Sequence, residues 1–348
     1  MNIYDISKRA GVSIATVSRV LNNSLHVSEK TRQHVLSVIE EAGYIPNAFA
    51  RGLGLNTMKT IGLVCPDASD PYLARAISLL EHAFRQHHYD SLLICTGEEY
   101  SSRDGGIAAL VRRHVDGIIL MGSSFVSQNP SENSMILDTS ESVPTAILNG
   151  SLPGEHIYSV LCDDMGATSM AADLLCREGR KKPLYLYHAL SASGMKKLQG
   201  FRDAVNRHHL SVGREFEIMV GKESRSIPAV CQMLVSAWNH GIHFDSVITS
   251  EDMLAIGALK AVRQLGLRVP GDISILGYNN SDLCLCTEPE LSSIDTCLPL
   301  ICDHIVQTLV SVLEGTEMPH QQVFNAHIVE RESTLFKGQH KNGKENDV

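Results

Sequence analysis

The chain has 348 residues, 43% of them hydrophobic and 20% charged, an ordinary globular balance with material for two or three structural units and at least one large core. No apolar run approaches the roughly 18 residues of a membrane span. The opening "MNIYDISKRA" lacks a basic segment followed by an apolar one, so no secretory leader is expected and the protein is placed in the cytosol.

Charge is unevenly spread. The formal total is −9, yet residues 1–60 carry seven Lys/Arg against four Asp/Glu, a net +3 that leaves −12 on the remainder. A small basic head on an acidic body suggests that the head alone meets a polyanion. Nine cysteines, an odd number, outline no disulfide framework and are expected as buried or reduced thiols. Cys284 and Cys286 form a C-x-C without a second pair at zinc-ribbon spacing, so no metal or cofactor is expected.

In chain order, "NIYDISKRA" spaces Ile3, Ile6 and Ala10 as one face of a short helix, and Gly11 is a natural left-handed stop. Ser13 is placed to cap a second helix, "IATVSRVLNN", with Val17, Val20 and Leu21 inward. Ser28 caps a third, "EKTRQHVLSVIEEAGY", which buries Val35, Val38, Ile39 and Ala42 and ends at Gly43. Two short helices joined by a glycine-started turn, with a third completing the core, make a helix-turn-helix head over residues 1–44. Its second helix would enter the DNA major groove. Arg19 can pair bidentately with guanine, and Ile14, Ala15 and Thr16 can touch thymine methyls or neighbouring base edges. Ser13, Ser18, Asn22 and His26 suit phosphate or base-edge contacts. The bland alternative for any one of these polar side chains is a solvated helix surface.

Residues 45–59 follow, with "IPNAFARGLGLNT" at their heart. The stretch has more apolar side chains than a tether uses and more glycine than a stable helix tolerates. From Thr60 to about residue 338 apolar strands alternate with amphipathic helices. The strand-like runs are 60–65, 90–96, 116–122, 144–149, 158–162, 183–189, 246–250 and 272–278. The helices are 72–88, 102–114, 165–178, 195–208, 227–239, 252–265 and 298–314. Strands this apolar imply parallel sheets covered on both faces, and their number implies two doubly wound lobes. Ligands of such sheets bind beyond the carboxyl ends of the strands. There the chain places Asp67, Asp70, Tyr72, Asn149, Asp163, Asp164, Glu251, Asp252, Asn279 and Asn280, with helix capping as the competing role for Asp164 and Asp252. Trp238 reads as core. No P-loop, nucleophile elbow, strand-borne dinucleotide fingerprint or H-E-x-x-H occurs, so no catalytic residue is nominated. The polar tail, residues 339–348, is expected to be disordered.

The head, "AGVSIATVSRVLNN" followed by "VSEKTRQHVLSVIEEAGYIPN", resembles the DNA-binding domain of the LacI/GalR family of bacterial transcription regulators. The likeness continues through "SEDMLAIGALKAVRQLGLRVPGDISILGYNN" and "VERESTL". It implies two periplasmic-binding-protein-like lobes joined by three crossovers, the first from 60–160 with 293–320 and the second from 161–292 with 321–338. It implies a homodimer on a pseudo-palindromic operator, most often as a repressor, with a sugar or sugar derivative between the lobes. It extends the DNA-contacting set to Asn47, Ala50 and Leu53. Residues 45–59 would then form a hinge helix only on DNA, with Leu53 wedged in the minor groove. Each glycine weakens a helix by about 0.8–1 kcal/mol relative to alanine, so replacing Gly52 and Gly54 with Ala is expected to raise operator affinity and blunt the ligand response in a binding titration. The family's effector contacts map onto Tyr72, Asn149, Lys197 and Asn279, beside the strand-end candidates Asp67, Glu251 and Asp252. Lys197 stands where arginine is usual, and Asn149 and Asn279 where aspartate is usual. That alters the hydrogen-bonding pattern offered to a sugar. It keeps open a dimeric regulator controlled by a protein corepressor, or by no small molecule.

Overall fold

A computed structural model of the chain describes residues 1–21, 24, 26–44 and 57–335. The sequence readings of Asn22, Asn47, Ala50, Leu53, the hinge helix and the tail fall outside the described residues.

Three helices build the head: α1 (Ile3–Ala10), α2 (Ile14–Leu21) and α3 (Glu29–Glu41). Asn2 Oδ1 accepts from the N–H groups of Tyr4 and Asp5 at 3.0 and 3.1 Å, and the Asp5 carboxylate accepts from Asn2 N–H at 2.9 Å. This reciprocal capping box satisfies donors that a helix start otherwise leaves open. Gly11, at φ +62°, ends α1 in the left-handed region, where a side chain would be strained. Ser13 Oγ accepts from Thr16 N–H at 3.1 Å and so starts α2. Ile6, Ala10, Val17, Val20 and Val35 are buried together, with Leu21, Val38, Ile39 and Ala42 packed at the margin.

The body contains two six-stranded sheets. The first comprises β1 (Thr60–Cys65), β2 (Asp90–Cys95), β3 (Gly117–Met121), β4 (Thr145–Leu148), β5 (Ile157–Cys162) and β11 (Gln321–Phe324). Its order is β11-β5-β4-β3-β1-β2, with every neighbour parallel. Alternation along β1 sends Ile61, Leu63 and Cys65 toward α4 (Pro71–Gln86) and α11 (Leu298–Leu313), and Val64 toward α5 (Tyr100–Arg112) and α6 (Ser134–Ser140). Between them Gly62 lets α5 approach: a Cβ there would lie 2.5 Å from Leu110 Cδ1.

The second sheet comprises β6 (Pro183–Tyr187), β7 (Glu217–Met219), β8 (Ser246–Thr249), β9 (Ser274–Tyr278), β10 (Ser292–Asp295) and β12 (His327–Val329). Its order is β12-β10-β9-β8-β6-β7. All pairs are parallel except β10 with β12, an antiparallel edge. Helices α7 (Asp164–Arg177) and α8 (Ala192–Arg207) cover one face. Helices α9 (Ile227–Asn239) and α10 (Asp252–Gln264) cover the other, with Trp238 packed edge-on against Phe244, 5.2 Å between ring centroids, as the core reading anticipates.

The lobes therefore divide differently from the expectation. Ser292–Asp295 pairs with β9 and belongs to the second lobe, while Gln321–Phe324 pairs with β5 and belongs to the first. The chain crosses between lobes after β5, after β10 and between β11 and β12. The correction has a local cause. "SSID" and "QQVF" are short and half polar, so neither carries the apolar signature of the central strands, and only pairing assigns them a sheet.

Candidate functional site

On α2 the burial of Val17 and Val20 turns the opposite stripe outward. Ile14, Ala15 and Arg19 are exposed and Ser18 is half-buried beside them. Four of the expected DNA-contacting side chains thus share one face of one helix. Thr16 and Ser13 do something else: their hydroxyls lie 2.9 Å apart at the start of α2. His26 is exposed in the turn before α3.

The second site lies between the lobes, a cavity of about 630 Å³. Asp67 and Tyr72 reach it from the loop after β1 and the start of α4, Asn149 from the end of β4, Lys197 from α8, Glu251 from the end of β8 and Asn279 from the end of β9. Asn149 and Asn279 have positive φ, 57° and 94°, a conformation that asparagine tolerates better than most residues. Asn149 Nδ2 donates to Tyr72 Oη at 2.6 Å, while its buried Oδ1 has no hydrogen-bond partner. Lys197, only 9% exposed, donates from Nζ to the Ser250 carbonyl at 3.2 Å and lies 3.6 Å over the Tyr278 ring. Asp67 accepts from the N–H and hydroxyl of Ser69, both at 2.8 Å.

Asp252 is the exception among the expected effector contacts. It is 3% exposed and faces away from the cavity. One oxygen accepts from Ser281 N–H at 2.7 Å and the other from Ser293 Oγ at 2.6 Å, which ties β8, β9 and β10 together. A carboxylate so satisfied is an internal brace, and the physical reason is direction: Asp252 is the first residue of α10, and its side chain is turned toward the chain after β9 and toward β10. Asp164 is likewise buried, accepting from Tyr278 Oη at 2.5 Å.

Other cavity residues escaped the sequence reading. Glu98, beyond β2, meets Lys222 Nζ at 2.5 Å and Arg225 Nη1 at 3.0 Å across the cleft. Ser123 Oγ donates to Ser191 Oγ at 2.8 Å, again from lobe to lobe. His188, after β6, sits with Nδ1 3.2 Å from Ser250 Oγ and 3.7 Å from the Glu251 carboxylate. Burial first, then the charges of Arg225 and Lys197, push His188 down to about 4, so it is neutral around pH 7. Burial, then the nearby Asp70, push Glu251 up to about 7. Burial also raises Asp70 above the usual carboxylate range, although it caps α4 by accepting from Leu73 N–H at 2.9 Å. Asp70 and Glu251 carried a signal in the sequence, as polar residues at strand ends; Glu98, Ser123, His188, Ser191, Lys222 and Arg225 carried none.

The geometry matches known proteins. A model of bacterial regulatory proteins of the lacI family matches residues 2–47, and a periplasmic binding protein-like domain matches residues 172–334. An HTH-type transcriptional regulator of Lachnoclostridium phytofermentans is 44% identical over 336 residues, covering 97% of this chain and 100% of the relative. The regulator AscG of Escherichia coli is 30% identical over 341 residues, covering 96% and 98%. Among solved structures, a lac repressor dimer bound to operator and the anti-inducer ONPF aligns with a TM-score of 0.86 at 24% identity, covering 97% of this chain and 99% of that one. The helix-turn-helix head, the two-lobe body and identity along nearly the whole length agree: the chain belongs to the lacI family of bacterial transcriptional regulators.

Proposed function

We propose that this regulator is a homodimeric repressor whose operator affinity is set by a small polar ligand between the lobes. The observation that carries the reading is the 630 Å³ cavity, which both lobes line with hydrogen-bonding side chains. A ligand that prefers one lobe arrangement shifts the population between DNA-competent and incompetent forms. Tyr72, Asn149, Lys197, Glu251 and Asn279 are assigned the ligand, with Asp67 at the mouth. Ile14, Ala15, Ser18 and Arg19 are assigned the major groove, flanked by Ser13, Thr16, Asn22 and His26. Asn47, Ala50 and Leu53 are assigned the operator's centre.

Two relatives support a small polar ligand. A solved regulator, CelR, was captured as a cellobiose complex, and it aligns with a TM-score of 0.69 at 24% identity. The lac repressor structure carries the ligand ONPF. The test is a fluorescence-anisotropy titration of the full chain on DNA fragments recovered from its own genome, repeated with a panel of sugars. The reading requires that at least one sugar changes the operator dissociation constant. Tight binding that no sugar alters would instead favour control by a protein partner.

A further inference from the structure

The charge inside the cleft is lopsided. Five carboxylates line the cavity (Asp67, Asp70, Glu98, Glu132 and Glu251) against two cations, Lys197 and Arg225. Most of these groups already have partners. Glu98 holds Arg225 and Lys222. Glu132 accepts from Ser127, Asp67 from Ser69 and Asp70 from the start of α4. Lys197 is directed to the Ser250 carbonyl and the Tyr278 ring. Glu251 is different. Its side chain is 17% exposed, no hydrogen bond reaches its carboxylate among the described residues, and its nearest charged-type neighbour is His188 at 3.7 Å. Asp70 at the start of α4, Asp252 next in the chain, Lys197 on α8, Arg225 before α9 and His188 after β6 are the titratable and charged groups facing it. The two carboxylates oppose one another's ionisation, and the neutral imidazole does not relieve them. The unpartnered Asn149 Oδ1 adds a further acceptor on the same cavity. An acceptor-rich, cation-poor cavity matches donors, and an anionic ligand such as a sugar phosphate meets surplus carboxylates.

We propose that the effector is a polyhydroxylated amine, an amino sugar in chemical class, whose ammonium group docks against Glu251 within reach of Asp70's charge. This rests on the interlobe cavity being the effector site. Glu251 is then the residue that decides specificity between an amine and the matching alcohol. Charge-assisted hydrogen bonds contribute roughly ten- to a hundredfold in affinity.

The experiment is isothermal titration of the full-length protein with glucosamine, galactosamine and mannosamine. Each is compared with its parent hexose, its N-acetyl derivative and its 6-phosphate. One amine is expected to bind at least about tenfold more tightly than its hydroxyl and N-acetyl counterparts. That preference should vanish in Glu251→Gln and shrink in Asp70→Asn, which keeps a good helix cap. Affinity for the amine should weaken as pH falls through about 7, where Glu251 takes up a proton, while parent-hexose affinity follows a flatter profile. A parent hexose or phosphate that binds as tightly as the amine, and alters operator affinity, overturns the amine assignment and leaves the effector reading standing. Binding by no member of the panel overturns the amine assignment and the sugar-sensor reading together. An amine preference that persists undiminished in Glu251→Gln removes Glu251 from the role.

Discussion

Glu251 shows how burial converts one side chain into a pH-dependent element. Its folded-state value of about 7 lies above the ordinary 4.5. Between those values the folded chain keeps a proton that the unfolded chain has released, so stability falls as pH rises through this window. The displacement corresponds to at most about 3 kcal/mol. Glu251→Gln is therefore expected to flatten the profile, leaving the variant more stable than the parent at about pH 8 and nearly equal at about pH 4; urea midpoints at the two pH values would reveal it. An unchanged difference between them would mean that Glu251 is solvated as an ordinary glutamate. Arg19 presents the opposite case, an exposed side chain with no role in the core. Arg19→Ala should weaken operator binding by about 1–3 kcal/mol and leave the thermal midpoint untouched. A loss of stability instead of affinity would count against its place on the DNA face.

Helix packing in the second lobe depends on close backbone approach. Gly200 on α8 sits against α7 so tightly that a Cβ would fall 2.1 Å from the Met165 carbonyl oxygen. Alanine would favour the isolated helix by about 0.8–1 kcal/mol, but the contact is with backbone, which cannot rotate away as a side chain can. Overpacking costs about 1–3 kcal/mol and should win. Gly200→Ala is expected to lower the urea midpoint, and because α8 carries Lys197 it should also weaken effector binding. A stabilised variant would show that α7 and α8 separate freely. Elements of this kind were legible in the sequence as helices, since apolar residues three and four apart mark them. Strands β7, β10 and β11 were not: each is only three or four residues long, β7 and β11 are sheet edges without a buried side chain, and buried β10 is half serine and so lacks an apolar run.

The two lobes meet through few polar contacts. Glu98 bridges to Lys222 and Arg225, but these side chains are 37%, 66% and 30% exposed. Surface pairs of this kind contribute about 0–1 kcal/mol and are screened by salt. The lobe arrangement is thus held lightly, as a population that a ligand can move requires. Glu98→Gln should broaden the distance distribution between spin labels on α5 and α9 toward longer values. High salt should do the same to the parent and little to the variant. A distribution insensitive to both would place the restraint elsewhere, among links that include the Ser123–Ser191, Arg75–Asp282 and Gln128–Met195 contacts and the three crossovers.

By itself the sequence determined the head, because its signals are local. The Ser13 cap, the Gly11 stop and the inward Val17 and Val20 lie within a few residues of what they organise. It likewise determined the alternation of strand and helix in the body and the strand ends where polar residues gather. Tertiary structure alone decided which strand joins which sheet, and which polar residues face the cleft. Asp252 and Glu251 are neighbours in the chain, yet one braces β9 and β10 while the other faces the cavity. Glu98 and Arg225 are 127 positions apart and meet only when two lobes close. Periodicity reports which way a side chain points from its own element. It carries no information on what another lobe brings opposite it, and there the chemistry of the cleft is set.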